Sequence, residues 1–561
     1  MGTLRDKLKA VFESFKPKGK LSEPSSKEPE INKADEASTP DPIKTNHKTQ
    51  SRTSTPKKAP ARQNTVFKNS LNVEFSADVH IEANAKVLIN THGIKSYKLL
   101  QSSKSIGCKE SIHLNSKSEK REISLGLDFG TSSVKVVIGD HGSDQAYAVP
   151  FLDASGIDAY LLPSRVFIFA KSDEPDSMAV FNLEQSETAF RDLKLGLLGN
   201  PNDRNRQIQV IAFLAQVIHR SRSWLFKNHS SIYKGVHCLW RLRVGLPAAS
   251  ALDNELVPIF EKIAHASWKV AGMTGCPTFS QAAESRDAVF DEAEVNDELE
   301  VEVIPEIAAQ IYGFVVSHSF DKKKPNRYLM VDVGAGTVDA SLFRVLPAKG
   351  GKWDFEFYTA VIQPYGVSNL HAARVDWWLN NLPSNQIGSN LKEALLSTKF
   401  CTDLGFQLPD SCEAYVRGVK FKKSSPNQCD DEFFSKKLSS QVRGSAVWRA
   451  FHDGYLDQAQ LKDTPMFLCG GGSRGKFYAG LEKLVQHPPG FSWLSVQPWQ
   501  LGYPKDLIAE GVAPDDFDRL SVAYGLSKLE VGKVIKAMPL PKVPPPPPAT
   551  FVDRFIDKDQ C

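Results

Sequence analysis

No apolar run in this chain approaches the ~20 residues that a membrane-spanning helix needs. Lys and Asp interrupt its opening residues, where a secretory signal would carry an apolar core. An excess of one charge is missing too. The 69 basic and 65 acidic residues leave a net +4 over 561 residues, which excludes a strong overall field for nucleic acid or an anionic bilayer. Cysteine is sparse: eight residues, with no CxxC pair and no metal-ligand spacing. That pattern argues against a disulfide framework or a zinc site and for free thiols in a reducing compartment, hence a cytoplasmic protein. Met1-Gly2 opens like a myristoylation site, but Asp6 stands where Ser or Thr is required.

What the chain does have is three glycine-rich segments in a fixed order. The first places Asp128, Gly130, Thr131 and Ser132 after the apolar run ending at Leu127; the second places Asp332, Gly334, Ala335, Gly336, Thr337 and Asp339 after Val331. Each reads as strand, Asp-x-Gly turn, strand. The third, Gly470, Gly471, Gly472, Ser473 and Arg474, follows the apolar Met466 to Cys469 and opens a helix. Glycines without a Cβ let consecutive amides converge on phosphate, and Thr or Ser hydroxyls add donors. Carboxylates beside phosphates make sense when a cation intervenes, and Mg2+ takes oxygen ligands while keeping several waters. Ordinary hairpins would explain either Asp-Gly turn alone. All three in this order predict a cleft for a magnesium nucleotide.

The order and residue types resemble the actin, hexokinase and heat-shock ATPase superfamily, and within it the DnaK-type heat-shock chaperones, over about residues 123–532. The resemblance implies an α/β fold of two actin-like lobes (duplicated ribonuclease-H-like units) that binds ATP and Mg2+ and hydrolyses ATP. It puts Asp128 and Asp332 on the metal, and Asp128, Asp332, Asp339 and Thr337 in the catalytic set. Gly130, Thr131, Ser132, Gly334, Ala335 and Gly336 would hold phosphate. Gly470, Gly471, Gly472 and Ser473 would line the adenosine, with Arg474 stacked on the base. Phe190-Arg191-Asp192-Leu193-Lys194 is similar to the family's phosphate-contacting lysine segment, which makes Lys194 the stabiliser of γ-phosphate charge.

Pro305 to Gly313 resembles the first interlobe helix, Val244 to Ala248 a strand-and-proline segment, and Ser521 to Leu526 the closing helix. Departures accompany these matches. Ile304 stands where the family has a Glu before the interlobe proline, with Glu302 and Glu306 nearby, so slow or altered hydrolysis is expected unless Glu306 substitutes. By the resemblance Gly366 keeps one glycine of a nucleotide-binding turn and joins the phosphate-holding set, but Val367 replaces the next, and His371 reads as packed or exposed, not catalytic. Around Lys420 the chain is basic; Glu413, Arg417 and Lys420 read either as neighbours of the base or as a solvated face.

Residues 1–65 read as an amphipathic start (Leu4, Leu8, Val11, Phe12 and Phe15 on one face) and a disordered linker. Membrane or partner contact would use residues 3–16. Short alternating runs at Leu71–Phe75, Val79–Ile81 and Val87–Ile89 predict a small β-rich extension over 66–120, or strands added to the ATPase body. The ATPase domain is expected over 121–533. A proline-rich tail, 534–561, stands where the chaperones continue into a client-binding half; its Pro544–Pro548 run is a spacer or a ligand for a polyproline-binding partner. The expected function is an ATPase whose lobes open and close to control a protein client or partner. An actin-like scaffold or filament and an ATP-binding regulator with little turnover are the competing readings.

Overall fold

The strand Lys120–Phe129 loses its alternation after three residues and is buried from Ile123 onward, as a strand covered on both faces must be. It pairs antiparallel with Ser133–Asp140, which pairs antiparallel with Gln145–Ala148. On its other side lie His237–Leu246 and then Glu300–Pro305, both parallel. Leu507–Ile508 adds a parallel outer strand beside Gln145–Ala148, and Leu162–Pro163 pairs with Ser133–Val134. A second sheet repeats this order and these directions. Arg327–Val333 pairs antiparallel with Val338–Pro347, which pairs antiparallel with Trp353–Gln363. Thr464–Cys469 and Val496–Trp499 follow in parallel on the other side. Val531–Lys536 supplies the parallel outer strand.

The protein is therefore mixed α/β, described by a computed structural model over residues 78–89, 99–100, 119–168, 178–179, 188–253, 255–273, 275–291, 299–399, 408–488 and 491–536. All of these fall in the compact unit that starts at Glu74. The amphipathic start, the linker, Leu71–Phe75 and the proline run lie outside the described residues.

Helix Arg204–Asn228 starts at Asp203, whose carboxylate accepts from the amides of Asn205 and Arg206. With Leu256–Ala271 it covers the first sheet in one apolar core. Helix Glu306–Val315 packs with the other face of the second sheet. Ser521–Lys528 crosses it so closely that a Cβ on Gly525 would sit 1.8 Å from the Ala309 carbonyl oxygen. The same helix lies on the first sheet at Gly126, where a Cβ would meet Ala523 O at 2.4 Å. The residues after Trp499 thus extend both sheets and wedge a helix against the first.

Val79–Val87 forms one strand, antiparallel to Val416–Phe421, with a register shift between Ile81 and Lys86. It joins the main body through an apolar cluster that includes Ile89, Trp378 and Tyr415. Sheet pairing by Val531–Lys536 carries regular structure past residue 533. Among the described residues no helix is long and apolar enough to cross a membrane.

Candidate functional site

In both hairpins the turn's Asp and its cross-strand partner are seven positions apart, Asp128 opposite Lys135 and Asp332 opposite Asp339. Both turns face one cavity of about 300 Å3, together with the Gly470–Gly472 turn and the start of helix Glu306–Val315. The turns touch: a Cβ on Gly336 would lie 3.0 Å from the Thr131 methyl and 2.6 Å from Leu195. Gly470 takes a left-handed φ of 83°, and its missing side chain makes room for the Asp332 carboxylate, which a Cβ would meet at 2.1 Å.

Of the residues expected from sequence, Asp128, Lys194, Asp332, Thr337, Asp339, Gly130, Thr131, Ser132, Gly334, Ala335, Gly470, Gly471 and Gly472 line this cavity. Gly336 and Gly366 stand behind it: the Gly366 amide donates to the Gly336 carbonyl at 3.3 Å. Ser473 donates to the Gly470 carbonyl at 2.8 Å. Arg474 faces an acidic segment, bonded to Asp516, to Asp518 Oδ1 at 2.6 Å and to the Asp515 carbonyl. His371 borders the cavity but is packed, its nitrogens bonded to the Tyr415 hydroxyl and the Thr398 carbonyl. Lys420 is solvated, with 77% of its side chain exposed.

The carboxylates are held individually. Lys135 Nζ donates to Asp128 Oδ2 at 2.9 Å, and Gln310 Nε2 to Asp332 Oδ2 at 2.9 Å. Asp339 accepts from the Ala248 amide at 2.8 Å and from the Ser341 hydroxyl at 3.1 Å. Lys194 is ion-paired with Glu306. Burial pushes Asp332 up to about 6, with Asp128 adding to the rise and Lys135 opposing it. Burial raises Asp339 to about 7 against the pull of the Ala248 amide. Glu306 is raised by burial despite Lys194. Buried like charges without full compensation move in this direction.

Sequence reasoning missed several lining groups: Lys135, Asp158, Gln310, Asp518 and Arg519. A single lysine within the apolar run Val134 to Ile138 is a legible signal for Lys135. Arg519 carries no local signal. Its guanidinium lies against the Gly471 backbone, where a Cβ would meet Cζ at 2.8 Å, and burial holds it below its ordinary pKa.

Three cations, Lys135, Lys194 and Arg519, thus face six carboxylates, Asp128, Asp158, Glu306, Asp332, Asp339 and Asp518. That excess repels a bare polyphosphate and attracts a cation or a cation-loaded anion. Among the described residues no three His, Cys, Asp or Glu side chains are grouped to hold a metal ion. The donor set therefore fits a hydrated divalent cation reached by one or two carboxylates better than a dedicated cage. No protein-family model matches the chain, and no curated protein matches it.

Proposed function

We propose that this chain is a magnesium-nucleotide-binding ATPase of the DnaK chaperone type, built on two actin-like lobes, which opens and closes on ATP to control a protein partner. The observation that carries the reading is a repeat. Asp128 and Asp332 leave equivalent strands of two sheets with the same order and directions, and both meet the Gly470–Gly472 turn at one cavity. Cytoplasmic residence is part of the proposal and is supported by the free thiols of Cys238, Cys276, Cys412, Cys429 and Cys469.

Asp332 and Asp128 would hold hydrated Mg2+, which supplies charge neutralisation to the transferred phosphoryl group when bound. Thr131 and Thr337 offer hydroxyls, and Gly130, Gly334 and Ala335 offer backbone, to phosphate oxygens. Asp339, fixed by Ala248 and Ser341, orients the attacking water. Water oxygen bonds to the γ-phosphorus as the bridging P–O bond breaks with its electron pair going to ADP, and the water proton passes to an oxygen of the released phosphate. Lys194 then meets the developing charge, provided its ammonium is shared between phosphate and Glu306.

A second reading, an ATP-binding regulator with little turnover, is favoured by two observations. Ile304, standing where a glutamate was expected, is buried in an apolar cluster, and Lys194 is already ion-paired with Glu306. Single-turnover hydrolysis of radiolabelled ATP, with binding measured in parallel, separates the two. Wild type should cleave ATP, while Asp332→Ala and Lys194→Ala bind it and turn over at least ~100-fold more slowly. Binding without cleavage by wild type selects the regulator; absence of binding removes both readings.

A further inference from the structure

We propose that the proline run of this chain's own tail docks on an aromatic groove beside the helix Ser440–Trp448. The groove is an apolar depression of about 210 Å3 lined by Arg443, Val447, Trp448, Phe491, Trp493 and Leu494. Its rings pack steeply on one another, with centroids 4.8 Å apart for Trp448 and Phe491 and 6.0 Å for Phe491 and Trp493. Trp448 remains 37% exposed, and no hydrogen bond joins the indole N–H of Trp448 or Trp493 to another described residue. Flat apolar ring surfaces with N–H donors at their edges match a polyproline II segment, which offers proline rings and unbonded carbonyls and is already stiff before binding.

Chain geometry names the occupant. Lys536 pairs with Phe357 at the edge of the second sheet. Two residues further along that neighbouring strand, the Thr359 hydroxyl donates to the Ala446 carbonyl at 3.0 Å, and Ala446 adjoins Val447 and Trp448. The groove thus lies across one helix from the point where Lys536 leaves the sheet, and a helix is about 10–12 Å wide. Pro544 follows Lys536 by eight residues, an extended reach of up to about 28 Å. A tether this short gives an effective concentration in the millimolar range, so a groove that binds the free segment with a Kd of about 0.1 mM is kept filled about ten to one by the attached tail.

The test uses a labelled peptide spanning Met538–Ala549 and the full chain, either wild type or with Pro544–Pro548 all replaced by alanine. The peptide should bind the alanine-tail chain and bind wild type about tenfold more weakly or worse, because the attached tail competes. Adding Trp448→Ala to the alanine-tail chain should remove binding. Tryptic cleavage after Lys542 reads the same event with the folded body untouched: slow in wild type and accelerated about tenfold or more once the prolines are gone. Equal peptide binding by wild type and the alanine-tail chain, with equal cleavage, would mean a groove for an outside proline-rich partner and would overturn docking by the chain's own tail. So would peptide binding to neither chain, or a proline-dependent dimer in sedimentation.

Discussion

Lys135 reaches Asp128 at 2.9 Å from the adjacent strand and also draws down the pKa of Asp332. Its ammonium therefore occupies the field in which a divalent cation would be held. Lys135→Met should tighten binding of Mn2+ (a spectroscopic stand-in for Mg2+) by about tenfold or more, since one opposing charge near the site is removed. Lys135→Arg should stay near wild type. Electron paramagnetic resonance on the nucleotide-free protein measures both, and an unchanged affinity in Lys135→Met would remove Lys135 from the site's charge balance. The two arginines divide in the same way. Arg519 lines the cavity while Arg474 is bonded to the 515–518 segment, so Arg519→Ala should weaken a fluorescent ATP analogue by about tenfold. Arg474→Ala should act mainly by loosening that segment. The GGGSR run made Arg474 legible, but which guanidinium faces the cavity depends on acids 41 to 44 residues away from Arg474.

Among elements, the helices Glu306–Val315 and Ser521–Lys528 matter most, because their crossing holds the cavity's lysine partner, Glu306, and the segment carrying Arg519. A methyl group at Gly525 has no space beside the Ala309 carbonyl. Gly525→Ala should cost about 1–3 kcal/mol of stability in urea unfolding, with nucleotide affinity falling as the crossing opens; a variant as stable as wild type would contradict the crossing. Arg243, on the strand His237–Leu246 of the first sheet, adds a second tie to the same C-terminal region. It is fully buried and bonded to Glu302 at 2.6 Å and to Glu530 at 2.8 Å. Helix Arg204–Asn228 is buried almost all round, without a break from Val210 to Leu225, and Asp203 caps its start. The short apolar run at Val79–Val87 depends on a partner distant in sequence. Val79–Val87 has no sheet of its own and finds its partner in Val416–Phe421, over 300 residues along the chain.

For the whole molecule, the acidic cavity predicts a pH dependence whose sign can be worked out. Asp332 and Asp339 titrate near 6 and 7 in the fold, against about 3.9 in the unfolded chain. Between about pH 4 and 7 the folded state binds more protons, so stability falls as pH rises through that window. Asp140 behaves oppositely. Burial alone would raise it, but the Tyr233 hydroxyl, Ser143 and Arg121 hold it below its ordinary value, so its contribution is lost on acidification below about pH 4. The ligand-free protein should therefore melt highest near pH 5 and lower at pH 7.5. Asp332→Asn, or saturating divalent cation with nucleotide, should flatten that slope in scanning calorimetry. A slope unchanged by Asp332→Asn would place the proton uptake elsewhere.

Local properties were legible from residues alone. Apolar runs ending in Asp-x-Gly marked the hairpins, because backbone freedom at glycine and strand burial leave a short-range signature. The carboxylates and glycines of those turns could be named for the same reason, whereas Lys194 rested on the resemblance of Phe190–Lys194 to a family segment. What only the tertiary structure decided is which groups share a cavity and which charges are matched. Gln310 against Asp332, Glu306 against Lys194 and Arg519 against Gly471 are meetings of groups from different elements, set by how the helices and the two sheets pack together. Coulombic and desolvation energies depend on those distances and on burial, and neither quantity exists until the chain has folded.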